Sequence, residues 1–88
     1  MTKREIELWL DYEYPTTIIS DRYNGTYSKG GWLAFPLEYH NIPVEVDGDD
    51  IECMYFWEHY DGLVGRGPYP EAAHEDLINQ MKQLINKQ

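Results

Sequence analysis

The sequence predicts an α+β fold, an antiparallel sheet of four to five strands with one C-terminal helix packed on it. Three observations point there. Residues 4–12 alternate in polarity, turn pairs such as Asn24-Gly25, Asp47-Gly48 and Asp61-Gly62 punctuate the middle, and apolar side chains recur at helical spacing after Pro70. At 88 residues the chain has room for one core, so residues 1–88 are read as a single small acidic domain. A 42% hydrophobic content supports a packed core and argues against disorder.

In REIELWLDY, residues 4–12, Ile6, Leu8, Leu10 and Tyr12 fall on one side of a strand and Glu5, Glu7, Trp9 and Asp11 on the other. Beyond Pro15, TTIISDRY (16–23) carries β-branched residues suited to a second strand. Asn24-Gly25 and Lys29-Gly30-Gly31 supply turns before a third strand at 32–35. Pro36 and Pro43 bracket PLEYHNIP, which is expected on the surface.

The stretch IECMYFWEHY, residues 51–60, fits two patterns. As a helix it spaces Ile51, Met54, Tyr55 and Glu58 along one side, with Asp49 as its cap. As a strand it puts Ile51, Cys53, Tyr55 and Trp57 on one face. The strand is preferred, because the segment is dense in aromatics and Tyr60-Asp61-Gly62-Leu63 makes a hairpin into LVGRG. From Pro70 the chain reads as a helix. Glu71, Glu75 and Asp76 lie near its positive end, Lys82 and Lys87 near its negative end. Ala73, Leu77, Met81, Leu84 and Ile85 form its apolar stripe, with Ile78 on the flank, and this stripe is expected to pack on the sheet.

Charge is the strongest global feature. Sixteen acids against seven bases give a net charge of −9, which disfavours direct binding to nucleic acid or to an anionic membrane. The natural partner of such a chain is a basic surface, although acidity also keeps small proteins soluble. No Lys or Arg stands between Lys29 and Arg66, while Glu38, Glu45, Asp47, Asp49, Asp50, Glu52, Glu58 and Asp61 lie within that span. With Glu71, Glu75 and Asp76 they are expected to share one end of the molecule. Thirteen aromatics exceed the needs of a small core, so some are expected at an interface, and a homodimer through them is conceivable.

No catalytic or metal motif stands out, and neither an enzyme nor a cofactor is expected. Cys53 is the one cysteine, which leaves no internal disulfide and suits a reducing cytosol. On a strand, His59 would lie about 20 Å from Cys53, too far for a thiol–imidazole pair. Cys53 is therefore read as a buried filler. His40, His59 and His74 fall on three elements without ligand spacing. DGDDIE, from Asp47, offers oxygens as in a calcium loop but lacks the distant bidentate glutamate in the expected context. Gly62, Gly65 and Gly67 precede a helix as in a phosphate loop, yet Glu71 and Glu75 would repel the phosphate. The N-terminus MTKREIELWL is not read as a signal peptide, and no stretch reaches the ~18–20 apolar residues of a membrane span. A cytoplasmic location is expected.

What remains is a row of carboxylates edged by aromatics, a surface able to occupy a groove shaped for nucleic acid phosphates. Glu45, Asp47, Asp49, Asp50, Glu52, Glu58 and Asp61 are the expected charge contacts. Tyr55, Trp57 and Tyr60 are the expected anchors, with strand alternation burying every second one.

Two motifs carry family likenesses. Tyr23-Asn24-Gly25 with Gly31-Trp32-Leu33, followed by Trp57-Glu58-His59-Tyr60-Asp61-Gly62, resembles the opening module of ArdA-type antirestriction proteins. Those are acidic DNA mimics of mobile elements, and the resemblance covers roughly half of this far shorter chain. It implies the strategy of a small inhibitor of a host defence nuclease, as in many phage anti-CRISPR proteins. Gly65-Arg66-Gly67 followed by Pro70-Glu71-Ala72-Ala73 is similar to the strand–turn–helix of HicB-like antitoxins, whose acidic surface would cover a basic RNA-cleaving toxin. No DNA-binding segment is expected after it. A small housekeeping interaction domain is the third possibility.

Overall fold

The alternation at residues 4–12 makes a helix instead of a strand. The computed structural model describes residues 1–87 and orders them as α1 (Lys3–Tyr12), β1 (Thr17–Ser20), β2 (Trp32–Phe35), α2 (Asp50–His59), β3 (Gly65–Gly67) and α3 (Pro70–Asn86). Two 3₁₀ turns, Tyr39–Asn41 and Val44–Asp47, link β2 to α2. The α+β class and the C-terminal helix are as expected, but the sheet has three antiparallel strands, ordered β1-β2-β3, and not four to five. Both missing strands are helices.

Helix α1 forms because Thr2 and Glu5 close a capping box. Thr2 Oγ1 accepts from Glu5 N at 3.2 Å, and Thr2 N donates to Glu5 Oε1 at 2.8 Å. These bonds, the backbone one foremost, hold the Glu5 carboxyl below its ordinary value. The buried residues are Ile6 and Trp9, with Leu10 half-buried beside them, a spacing of three and four. Leu8 and Tyr12, inward on a strand, are exposed. A sequence of ten residues can alternate and still carry a helical stripe. Here the cap decides.

Helix α2 also starts on a cap, with Asp49 Oδ1 accepting from Glu52 N at 2.9 Å. Asp50 and Glu52 occupy its first turn and His59 its last, as the helix dipole favours. Ile51 is the only β-branched residue between 51 and 60, so the strand reading rested on aromatic density and on the hairpin expected at Tyr60–Leu63. The expected hairpin at Tyr60–Leu63 is accordingly the connection from α2 to β3. The expected second strand covers only Thr17–Ser20, while residues 22–28 form turns.

The sheet lies between two helical layers. Ala34 faces Ile6 and Trp9 of α1 and Ala73, Leu77 and Met81 of α3. Leu33 and Phe35 face the other way, into a core with Val46 and Val64 that Phe56, Trp57 and Tyr60 complete. α3 rests directly on the β3 backbone. A Cβ on Gly67 would sit 2.6 Å from Ala73 N, and one on Gly65 would overlap the Ala73 carbonyl. The Gly-Arg-Gly pattern is thus a packing surface, with Arg66 turned towards Trp57 on the opposite face.

Candidate protein-binding face

Helix α2 is apolar on more than one side. Inward, Cys53 is buried and its thiol donates to carbonyls of the preceding turn, at 3.3 Å to Glu45 O and 3.4 Å to Gly48 O. Burial pushes this thiol above its ordinary value, which suits a filler and not a nucleophile. On a helix, six residues separate Cys53 from His59 by about 9 Å of rise, less than the strand reading implied. His59 is exposed while Cys53 is buried. Phe56, Trp57 and Tyr60 are half-buried against Phe35.

Outward, Ile51 is 73% exposed and Tyr55 65% exposed. Ile51, Tyr55 and His59 recur every four residues and so line one ridge. The Tyr55 and His59 rings lie 4.3 Å apart, and His59 Nδ1 is 2.9 Å from Tyr55 O. Beside the ridge runs an open groove of about 550 Å³, with Ile51, Tyr55, Phe56 and Tyr60 as its apolar walls. Glu45, Glu52, Asp61 and His59 complete the lining, and no Lys or Arg lines it. Burial also raises the Tyr60 phenol, against the opposing charge of Arg66.

Five of the expected contact residues therefore meet at one place: Glu45, Glu52, Tyr55, Tyr60 and Asp61. Glu58 is exposed on α2 outside this lining. The acids at the start of the helix hold local structure together. Asp49 is the cap, and Asp50 Oδ1 accepts the Tyr27 hydroxyl at 2.8 Å, raising that phenol. Asp47 and Gly48 offer their carbonyls to Arg22 Nη1, at 2.6 and 3.1 Å. Tyr23 Oη also donates to Gly48 O, so the Arg22–Tyr27 turn clasps the start of α2. Trp57 turns inward, with the Arg66 guanidinium 5.5 Å from its ring centre.

Glu71, Glu75 and Asp76 belong to α3, whose apolar stripe packs on the side of the sheet opposite α2. Glu38 accepts the Tyr14 hydroxyl at 2.9 Å and lies 3.5 Å from His40 Nε2. The α2 acids are nonetheless unneutralised. Among the described residues, the ion pairs are His40–Glu38 and His74–Glu13, and no Lys or Arg comes within 4.0 Å of a carboxylate. Arg22 and Arg66 donate to backbone carbonyls instead.

Reading residues 51–60 as a strand hid Ile51, Phe56 and His59 as groove residues. The four-residue spacing of Ile51, Tyr55 and His59 was the available signal. Among the described residues, no group of three or more His, Cys, Asp or Glu is arranged to hold a metal ion, and no helix is long and apolar enough to cross a membrane. No protein-family model, no curated protein and no solved structure matches this chain.

Proposed function

We propose that this chain is a non-enzymatic acidic inhibitor from a phage or mobile element. In this reading it acts in the host cytoplasm, as an anti-restriction or anti-CRISPR protein of the DNA-mimic type, by occupying the basic nucleic-acid-binding surface of a defence nuclease. One observation carries the reading: the outward side of α2 joins an exposed apolar ridge to a groove rimmed by Glu45, Glu52 and Asp61 and lined by no Lys or Arg. An apolar patch marks a contact site, and its carboxylate rim selects a basic partner over another acidic chain. The same rim disfavours a homodimer through α2, since each copy carries a net charge of −9.

The acids that serve the partner are then Glu45, Glu52, Glu58 and Asp61, while Asp49 and Asp50 keep the helix start in place. Tyr55 and Ile51 are the anchors. A HicB-like antitoxin would use the same surface on a basic ribonuclease toxin, and the β3–turn–α3 unit is the feature that favours it. A small housekeeping interaction domain is the further alternative. Affinity capture from host lysate separates these, compared between the wild type and a Glu52→Lys/Asp61→Lys variant. A nuclease or CRISPR effector retained by the wild type alone and released by salt is the expected result. A small ribonuclease points to the antitoxin, and identical capture by both proteins overturns the surface assignment.

A further inference from the structure

The two edges of the sheet are treated differently. In the β1–β2 register, Asp21 N donates to Gly31 O at 2.8 Å, so the pairs in step with it, Ile19↔Leu33 and Thr17↔Phe35, exchange the ladder bonds. The backbone groups of Ile18 and Ser20 then point away from β2. On the far edge the equivalent groups belong to Val64 and Arg66, and α3 covers them. Arg66 N donates to Asp76 Oδ2 at 2.8 Å, and Gln80 Nε2 donates to Val64 O at 2.8 Å. That edge is closed.

The β1 edge has no such cover. Among the described residues, no side chain bonds to the outward amides and carbonyls of Ile18 and Ser20. The strand reads Thr-Ile-Ile-Ser, without the charge or proline that usually blunts an edge. Beside it lies a groove of about 600 Å³ between β1 and the 3₁₀ turns. Ile18, Ile19 and Ser20 line one side, Ile42 and Val44 the other, and Asp47 is its carboxylate. Asp21, directly after Ser20, is engaged in the following turn, where its Oδ2 accepts from Gly25 N at 2.7 Å. His40 also lines the groove, but no Lys or Arg does.

We infer that β1 is a second docking site, which adds an extended segment of a partner protein as a fourth strand. The main chain of that segment bonds Ile18 and Ser20, and alternate apolar side chains enter the groove. Basic residues on the segment answer Asp47, the carboxylate that lines the groove. A second copy of this chain fits less well, because two copies with a net charge of −9 would meet edge to edge. The site is separate from the α2 face and does not depend on that reading.

The probe is a short peptide of alternating lysine and valine with blocked ends, titrated into isotope-labelled protein. The expected result is saturable shifts and slowed amide exchange at Ile18 and Ser20, unchanged by Glu52→Lys/Asp61→Lys. Ser20→Pro removes one outward amide and is expected to weaken the peptide about tenfold. As a control that leaves the protein intact, methylating the peptide amides that face β1 abolishes binding, while methylating the alternate set does not. Shifts confined to α2, indifference to both modifications, or protection of Ile18 and Ser20 by self-association in sedimentation would each overturn the inference.

Discussion

Helices α2 and α3 illustrate two ways of using apolar residues. α3 places Ala73, Leu77 and Met81 four residues apart, all three fully buried, against α1 and the sheet. Its outer surface carries Glu71, Glu75 and Lys82, with Lys87 at its C-cap. α2, ten residues long, buries only Cys53 completely, half-buries Phe56 and Trp57, leaves Ile51 and Tyr55 largely in water, and exposes Met54 in part. A helix polar on its outer side is complete within the monomer. One that is apolar on both sides has a contact still to make.

The comparison is sharpened most by truncations on the two helices. Leu77→Ala should destabilise the fold by about 2–5 kcal/mol in urea titration, because it opens a cavity under α3. Tyr55→Ala on α2 should change stability by less than about 0.5 kcal/mol while abolishing partner capture. Comparable destabilisation by the two would mean that Tyr55 is structural. Of intermediate size, Asp49→Ala should cost about 0.5–2 kcal/mol through loss of the α2 cap. Charge reversal at Asp49 would therefore confuse unfolding with lost binding, which makes Glu52 and Asp61 the better sites for that test.

Alkaline pH gives a smaller effect on the α2 side. Burial raises both the Cys53 thiol and the Tyr60 phenol. A group raised in the folded state loses its proton first in the unfolded chain. Its stabilisation is complete below the unfolded value and drains away as pH climbs through the folded one. The urea midpoint should hold level through neutral pH and fall as pH passes about 8.5, where a free thiol is half ionised. Cys53→Ala should flatten the first part of that decline. The smallest effect concerns the whole surface: without Lys or Arg pairs to lose, the melting temperature should rise by a few degrees, about 2–5, as salt screens the carboxylates. A fall with salt would reveal favourable charge pairing.

The parts of the fold legible in the sequence were those where pattern and chemistry agree. Pro70, the acids after it and the stripe Ala73–Leu77–Met81 define α3, and Trp32–Phe35 is a strand as read. Residues 4–12 misled because Ile6, Leu8 and Leu10 satisfy a period of two. The burial of Trp9 depends on α3, and its indole donates to Pro15 O at 3.0 Å. Neither fact is local. Thr2 with Glu5, and Asp49 with Glu52, were cap signals strong enough to override alternation and aromatic density. For the candidate site, the acids and Tyr55 were visible from charge and composition. Which of them share a groove, and which acids instead hold a helix start, depended on the helical geometry of 50–59.

The most direct test of the central claim is competition. The basic protein captured by the wild type is bound to its own nucleic acid, and this chain is added at about 0.1 M and then 1 M salt, where the screening length falls from ~10 Å to ~3 Å. The account predicts displacement of the nucleic acid at low salt, its loss at high salt, and no displacement by Tyr55→Ala or Glu52→Lys/Asp61→Lys. Displacement by those variants as efficient as by the wild type would contradict it.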